Sequence, residues 1–268
     1  MREPAAKKAW SSSEAYEAYI GRWSRLVAAE FLVWLRLPHG LDWLDVGCGT
    51  GALTQVVVQA CAPRRVLGID VSEEDVAYAR ARLKDARAEF RVGDAQALPV
   101  PDGSFDAVVS GLMLNFVPNQ AQAAAEMRRA ARPGATIAAY VWDFADRMQL
   151  MRHFWDAAAA IDPTARELDY GLRFPTARPE PMAELFASAG LHGVTTRAVD
   201  VPTVFRDFED YWAPLLSGHG SVPGYCMSLS EARRAVLRDR LRAKLPTRSD
   251  GSIHLIARAW AVRGLVPG

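Results

Sequence analysis

The stretch LDVGCGTG at residues 44–51 constrains this chain more than any other feature. Glycines at 47, 49 and 51 lie between an apolar run and a helix-forming run, which is typical of a turn from a β-strand into an α-helix. Such turns bring backbone N–H groups and the positive end of a helix close to a ligand, and they usually bind phosphate. Asp45 would repel phosphate there. The motif therefore predicts a nucleotide-like ligand that carries positive charge near the turn.

Composition narrows the classes of protein to consider. The 268 residues are 50% hydrophobic, enough for one main domain with a smaller appended subdomain. With 32 Lys plus Arg against 31 Asp plus Glu, the net charge of +1 does not favour nucleic acid or an anionic membrane as a partner. The polar start MREPAAKKAW and the lack of a long apolar stretch predict a cytoplasmic protein.

Three scattered cysteines, Cys48, Cys61 and Cys226, show no zinc-ligand spacing, and we expect reduced thiols and no metal. Cys48 lies inside the glycine turn, where a nucleophile is conceivable. Small residues are needed there for packing, so packing is the favoured interpretation.

From residue 41 onward, short β-branched or apolar runs alternate with helical patterns, which predicts an α/β fold with a parallel sheet. The predicted strands are 41–47, 64–70, 88–94, 101–111 and 135–143, and the predicted helices are 50–62, 72–86 and 119–134. Beyond residue 143 the pattern predicts an insertion over 144–178, a helix over 179–190, a strand over 193–205, helical segments over 206–246 and a last strand within 250–264. Ser72 with Asp75, and Ser228 with Glu231, have the spacing of capping boxes.

The turn alone fits both GxGxG and the dinucleotide motif GxGxxA. Asp70, 23 residues after Gly47, is placed to bind ribose hydroxyls in either case. Asp45 discriminates, because NAD presents a pyrophosphate over this turn, whereas S-adenosylmethionine presents a sulfonium and an ammonium. At about 4 Å and an effective dielectric constant near 20, each attraction is on the order of 4 kcal/mol. With NAD, Asp45 would repel the pyrophosphate instead.

The stretches LDVGCGTG, GIDVS, GDAQALPVPDGSFDAVVSGLMLNF and RPGATIAAYVW occur in this order over residues 41–143. With them the chain resembles the class I S-adenosylmethionine-dependent methyltransferases, in particular the type 11, ubiquinone-biosynthesis-like branch that acts on small molecules. The resemblance implies a doubly wound, Rossmann-like seven-stranded sheet of order 3-2-1-4-5-7-6 with the last strand antiparallel. It also implies a helical lid over residues 1–40, a methyltransferase domain over 41–268, and acceptor-cap insertions at about 144–178 and 206–246.

The resemblance further implies the residues that bind S-adenosylmethionine and its product S-adenosylhomocysteine. By motif position, Gly47, Cys48 and Gly49 surround the methionine and ribose, and Asp70 binds the ribose hydroxyls. Val71 lines the adenine, and the segment Asp94, Ala95 and Gln96 recognises the adenine. Ser110, Gly111 and Leu112 close over the sulfonium. From the lid, Tyr16, Arg22 and Trp23 are candidates, although the aromatic residues also fit a core-facing helix and Arg22 also fits a surface ion pair.

Methyl transfer needs alignment rather than a metal, and it needs a general base only where the acceptor atom arrives protonated. Candidate bases are His153, Asp143 and His219. The alternatives are an amphipathic helix face for His153, a helix cap for Asp143 and a polar loop for His219. The stretch SGLMLNF stands where amide-methylating relatives carry N/D-PPY, which argues against DNA-base and glutamine-amide acceptors.

Aromatic residues are frequent in the segments expected to form the acceptor pocket or the core of the subdomain: Trp142, Trp155, Phe174, Tyr211, Trp212 and Tyr225. We therefore expect transfer to an O, N or C atom of a small apolar or aromatic metabolite, by a monomer or homodimer without nucleic-acid or membrane partners. The alternatives are a methyltransferase acting on RNA or protein, an NAD-dependent reductase, and a non-catalytic S-adenosylmethionine-binding protein.

Overall fold

The computed structural model describes residues 13–268. The start of the predicted lid, including MREPAAKKAW and residues 11 and 12, lies outside this range. The chain divides into two compact units. Unit 1 comprises residues up to 23 together with 143–175 and 200–258, and unit 2 comprises 24–142, 176–199 and 259–268.

A seven-stranded sheet of order β3-β2-β1-β4-β5-β7-β6 confirms the predicted fold class. The strands are β1 Asp42–Val46, β2 Arg65–Asp70, β3 Ala88–Val92, β4 Phe105–Gly111, β5 Ala131–Trp142, β6 His192–Phe205 and β7 Ile253–Leu265. Strands β3, β2, β1, β4 and β5 run parallel, and β7 is antiparallel to β5. In the centre, Asp45 of β1 pairs with Gly68 of β2 and with Val109 of β4.

The helices alternate with these strands much as the sequence pattern predicts. They are α1 Ser13–Tyr16, α2 Arg22–Leu35, α3 Ala52–Ala60, α4 Glu73–Arg82, α5 Gln120–Ala130, α6 Gln149–Ala159, α7 Tyr170–Arg173, α8 Pro179–Ser188, α9 Phe208–Trp212, α10 Ser221–Ser228 and α11 Glu231–Lys244. A π-helical turn, Glu17–Gly21, connects α1 to α2, and 3₁₀ turns occupy Leu114–Phe116, Pro163–Leu168 and Ala213–Ser217. No helix within residues 13–268 has the length and apolar character needed to cross a membrane.

Helix caps explain two of the boundaries. The Ser72 hydroxyl accepts the backbone N–H of Asp75 at 3.2 Å and begins α4, as predicted. The predicted cap at Ser228 is wrong, because the Ser228 hydroxyl donates to the Tyr225 carbonyl at 2.8 Å. Ser230 begins α11 instead, two residues later. The Ser230 hydroxyl accepts the backbone N–H of Arg233, one of the N–H groups at the helix start that have no acceptor within the helix.

An ion-pair network fixes the amino ends of the central strands in unit 2. Asp42, only 2% exposed, accepts from the guanidinium groups of Arg64 and Arg132. Arg132 also donates to Asp106 of β4. The hydrogen bond from Arg64 lowers the pKa of Asp42 to about 2. This network lies at the sheet edge opposite to the one where parallel strands present their carboxyl ends to ligands.

Residues 144–175 of the predicted insertion lie in unit 1, and they contain the helices α6 and α7. Phe154 and Trp155 of α6 pack edge to face, with ring centroids 5.3 Å apart, and both contact the Tyr225 ring of α10. The Tyr211 hydroxyl donates to the Leu150 carbonyl at 2.8 Å. Aromatic packing and this buried hydrogen bond tie α6, α9 and α10 into one hydrophobic core.

Candidate cofactor site and catalytic residues

The parallel strands β1, β2 and β4 deliver most of the predicted site residues to one sheet edge in unit 2. Each strand ends in a short loop at that edge: 47–51 after β1, 71–72 after β2 and 112–116 after β4. Ligands of open α/β sheets bind outside the carboxyl ends of the strands, where the strand order reverses. In this sheet the reversal lies between β1 and β4, next to the glycine turn.

The glycine turn adopts a backbone that other residues rarely tolerate. Gly47, Gly49 and Gly51 have φ of 73°, 49° and 85°. A Cβ on Gly47 would lie 2.2 Å from Cγ of Met113, whereas a Cβ on Gly49 would meet no atom within 4 Å. The turn is therefore tightly packed at Gly47 and open at Gly49, so a ligand can approach the backbone there.

Asp70 is the last residue of β2, and two backbone N–H groups donate to its carboxylate. The N–H of Gly49 donates to Oδ2 at 2.8 Å, and the N–H of Ser72 donates to Oδ1 at 2.9 Å. Burial raises the pKa of Asp70, and these two hydrogen bonds oppose that rise. Each carboxylate oxygen accepts one of these bonds and retains capacity for another. Asp70 thus offers two oriented acceptors at the sheet edge.

Asp45 is fully buried on β1. The hydroxyl of Thr54, from the first turn of α3, donates to its Oδ2 at 2.6 Å, and within residues 13–268 its Oδ1 has no hydrogen-bond partner. Burial raises the pKa of Asp45 to about 7, despite the bonds from Thr54. This modifies the electrostatic argument from the sequence, because near neutral pH the carboxyl group is partly protonated until a cation approaches.

Cys48 turns its thiol into the protein rather than toward a ligand. The side chain is 7% exposed and packs in a core cluster with Val76, Ala79 and Phe90. Burial raises the pKa of the thiol well above its usual value, so the thiolate needed for nucleophilic chemistry is disfavoured. The geometry favours the packing interpretation, and only the backbone of Cys48 lines the turn.

The segment that follows β4 turns toward the glycine turn. Leu112 has the positive φ of 62°, rare for a residue with a branched side chain, and its N–H donates to the Tyr140 carbonyl at 2.8 Å. The next residue, Met113, packs against Gly47. Gly111 is adjacent to the Tyr140 ring, because a Cβ there would lie 2.6 Å from the Tyr140 hydroxyl. The predicted residues Ser110, Gly111 and Leu112 therefore border the same edge as the glycine turn.

The turn after β3 is more exposed. Asp94 accepts the backbone N–H of Gln96 at 2.8 Å and its side-chain amide at 3.2 Å. The side-chain Oε1 of Gln96 in turn accepts the backbone N–H of Asn119 at 3.2 Å. These bonds hold the predicted segment Asp94, Ala95 and Gln96 in one shape. Val71, after β2, is 49% exposed, so its side chain is accessible.

Two predicted cofactor residues, Tyr16 and Arg22, lie in unit 1. Nη1 of Arg22 donates to Oδ1 of Asp210 at 2.9 Å. The guanidinium carbon lies 4.5 Å from the Trp23 ring centroid and 4.8 Å from that of Phe205. This arrangement is the ion pair that the sequence left open as the alternative for Arg22. Contact of Tyr16 or Arg22 with the cofactor stays a prediction.

The three candidate bases also belong to unit 1. Asp143 is buried and caps a turn, since its Oδ1 accepts the N–H of Asp146 at 3.2 Å, and burial raises its pKa. His153 on α6 is half-buried, and burial lowers its pKa, so its imidazole is neutral at pH 7. The N–H of His219 donates to the Ser217 hydroxyl at 3.4 Å in a loop. A neutral His153 can accept a proton, and its role as a base stays a prediction.

The aromatic residues expected near the acceptor are mostly core residues. Trp142, Trp155, Tyr211, Trp212 and Tyr225 are at most 9% exposed, and Phe174 is half-buried. Their contribution to an acceptor pocket stays a prediction beside their packing role.

Comparison with known proteins identifies a methyltransferase domain within the chain. Residues 44–139 match the family model described as a methyltransferase domain. Residues 44–139 are therefore a methyltransferase domain. The resemblance drawn from the four motifs is thereby confirmed, and S-adenosylmethionine is the cofactor of this class.

Two curated relatives and one solved structure extend the match. A 2-methyl-6-phytyl-1,4-hydroquinone methyltransferase of Synechocystis is 32% identical over 209 residues, covering 75% of this chain and 64% of that protein. A demethylmenaquinone methyltransferase of Listeria welshimeri is 36% identical over 108 residues, covering 39% of this chain and 46% of that protein. Haemonchus contortus phosphoethanolamine N-methyltransferase 2, solved with S-adenosylhomocysteine, has the same fold, with a TM-score of 0.60 and 17% identity over 96% of this chain and 57% of that one. The chain thus spans less than two thirds of the length of these relatives.

The site described above fits S-adenosylmethionine. Within residues 13–268, Asp70 offers two acceptors, no atom fills the space beside Gly49, and one buried oxygen of Asp45 has no hydrogen-bond partner and could face a cation. Two residues that contact this edge were not predicted from the sequence: Thr54 and Met113. Thr54 is a polar residue in an otherwise apolar helix start, a signal that could have found it. Met113 lies in an apolar run that carries no such signal.

Proposed function

We propose that this protein transfers the methyl group of S-adenosylmethionine to a small apolar metabolite that carries a hydroxylated aromatic ring. The observation that carries the proposal is the geometry of Asp70. Backbone donors at Gly49 and Ser72 fix both of its oxygens. The two neighbouring hydroxyls of a ribose require two acceptors oriented in this way, and bonds to an ionised acceptor are the strong ones.

The rest of the cofactor would lie along the same edge. The methionine and ribose would contact the backbone of Gly47, Cys48 and Gly49. Exposed Val71 would contact the adenine, whose polar edge would meet the Asp94–Gln96 turn. The sulfonium would lie beside Ser110, Gly111 and Leu112, where β4 bends onto the turn. Asp45 would face the cationic end.

S-adenosylmethionine supplies an electrophilic methyl group, so the chain has chiefly to align the acceptor in line with it and exclude water. The rigid turns after β1, β2 and β4 provide that alignment. A proton must leave the acceptor when a hydroxyl or ring carbon is methylated. Neutral His153 is the favoured proton acceptor, because Asp143 already accepts backbone N–H groups in its turn.

Two observations support an aromatic acceptor. The 209-residue match to the hydroquinone methyltransferase extends well beyond the 96 residues 44–139, so it includes sequence outside the cofactor domain. The Listeria relative is also named for a quinone. A neutral base candidate and apolar surroundings suit an uncharged ring better than a charged amine.

The test combines binding and turnover with the purified protein. Mass spectrometry of retained ligands and calorimetry with S-adenosylmethionine examine the cofactor. Incubation with hydroquinones and with phenols, amines and carboxylic acids of similar size examines the acceptor. We expect a product that is heavier by one methylene group from the hydroquinones. Failure to bind S-adenosylmethionine would refute the whole proposal, while binding with turnover of amines alone would refute the acceptor class.

A further inference from the structure

Asn115 is a buried side chain that the fold does not use. It is 5% exposed, and among residues 13–268 neither its Oδ1 nor its Nδ2 has a hydrogen-bond partner. No other side chain within those residues leaves two buried polar atoms without partners. A primary amide carries two donors and one acceptor, and burying it unpaired is unfavourable. A residue kept at this cost is more consistent with a ligand contact than with packing.

The chain treats its other asparagine in this region differently. Asn119 is exposed, begins α5, and accepts the N–H of Gln122 at 3.0 Å through its Oδ1. That asparagine has a structural explanation in the four residues around it. Asn115 has none.

The position of Asn115 relates it to the methyl donor. It lies in the 3₁₀ turn Leu114–Phe116, directly after the exit of β4. The left-handed backbone of Leu112 redirects the chain there, and Met113 packs against Gly47 of the glycine turn. Backbone conformations of this kind persist where the surroundings enforce them, and they concentrate at ligand sites. Asn115 therefore follows, by two residues, a contact with the turn that binds the cofactor.

We infer that the Asn115 amide binds the hydroxyl of the methyl acceptor and so selects hydroxylated aromatic rings. This rests on the proposed function. The cofactor already has polar partners at this edge in Asp70, Asp45 and the glycine-turn backbone, whereas the acceptor hydroxyl has none assigned. Oδ1 accepts the hydroxyl proton, and Nδ2 donates to an oxygen on which negative charge develops. An amide does not titrate, so it positions the ring and leaves proton removal to another group.

The experiment compares Asn115→Ala and Asn115→Leu with the matched control Asn119→Ala. Binding to the protein saturated with S-adenosylhomocysteine is measured by calorimetry for a hydroquinone and for its dimethyl ether, which lacks both hydroxyls, and turnover is measured with the hydroquinone. We expect Asn115→Ala to bind the hydroquinone about tenfold more weakly than wild type, which is the value of one hydrogen bond, and to bind the ether with less than a twofold change. Its kcat/KM for the hydroquinone should also fall about tenfold. S-adenosylmethionine affinity, measured by calorimetry, should stay within twofold of wild type.

Equal losses of affinity for the two compounds, or a tenfold loss of S-adenosylmethionine affinity, would overturn the assignment. Unfolding without ligands gives a readout that does not depend on turnover. Asn115→Leu should raise the melting temperature, because it removes an unpaired polar group, and a lower one would show that Asn115 is structural. Wild-type protein that binds S-adenosylmethionine but methylates no hydroxylated ring would refute the proposed acceptor and this inference together. Wild-type turnover matched by Asn115→Ala would refute the inference alone.

Discussion

Replacing Asp45 with asparagine should change how the stability of the protein depends on pH. The carboxyl group is fully buried, and burial raises its pKa from 3.8 to about 7. Between these values the folded state holds a proton that the unfolded state releases. Stability is therefore fully present below about pH 4 and falls as the pH rises toward 7. One pKa unit corresponds to about 1.4 kcal/mol, so the rise of the Asp45 pKa from 3.8 to about 7 corresponds to about 4 kcal/mol of unfolding free energy.

The assay is urea unfolding of the wild type and Asp45→Asn between pH 5 and pH 8. Asparagine does not titrate, so the difference between the two proteins isolates this one group. Relative to the variant, the wild type should lose about 3 kcal/mol over that interval and level off above pH 7. Asp94→Asn, which removes an exposed carboxylate, serves as the control. A difference that stays constant from pH 5 to pH 8 would refute the reasoning.

The same titration links Asp45 to the ligand. A cation placed near the unpartnered Oδ1 favours the ionised form, so S-adenosylmethionine should displace the proton on binding. At pH 6.5, calorimetry in two buffers of different ionisation enthalpy should detect more proton release from the wild type than from Asp45→Asn. The ligand's own amino group contributes equally to both proteins. Equal release would mean that Asp45 serves packing and its bond from Thr54 only.

Asp70→Ala should weaken S-adenosylmethionine at least tenfold by calorimetry, since each charge-assisted bond to a ribose hydroxyl contributes about 1.5–3 kcal/mol; unchanged affinity in a folded variant would exclude Asp70 from the site. Gly47→Ala should destabilise the protein, and adding Met113→Ala should recover only part of the loss, because the clash is relieved while the φ of 73° remains; full recovery in urea unfolding would contradict this. His153→Ala should reduce turnover about a hundredfold with cofactor affinity unchanged if His153 is the base; a loss confined to KM would indicate positioning. Asp42→Asn should destabilise the protein at pH 7 and destabilise it less at pH 3. The folded-state pKa of about 2 means that ionised Asp42 stabilises the fold above about pH 4, and this contribution is lost as the pH falls toward 2. Equal losses of stability at the two pH values, measured by urea unfolding, would contradict this.

Periodicity alone predicted the existence of the strands, because buried parallel strands are continuous apolar runs bounded by turns. β1, DWLDV, is buried at all five positions, and β7 alternates as predicted, with Ile253, Leu255 and Ala257 buried. The spatial order of the strands is not contained in such patterns, and here it came from the resemblance. Boundaries were less accurate, as β5 begins at Ala131 rather than at residue 135.

The parts of the site that the sequence predicted are those whose role follows from local geometry. A glycine turn and the acid after the next strand lie at one sheet edge in any fold of this kind, so Gly49 and Asp70 could be named in advance. The protonation state of Asp45 could not be predicted from the sequence, because its pKa depends on complete burial by the neighbouring strands and on the bond from Thr54.

Asn115 shows most clearly what the sequence alone does not predict. In the sequence it is one polar residue in SGLMLNF, the stretch that stands in place of an amide-methylating motif. Its importance appears only when the hydrogen-bond partners of every buried polar atom are accounted for, and that requires the positions of residues far away in sequence. An unpaired amide beside the cofactor edge is a local conflict with stable folding, and such conflicts are expected where function, rather than stability, selects the residue.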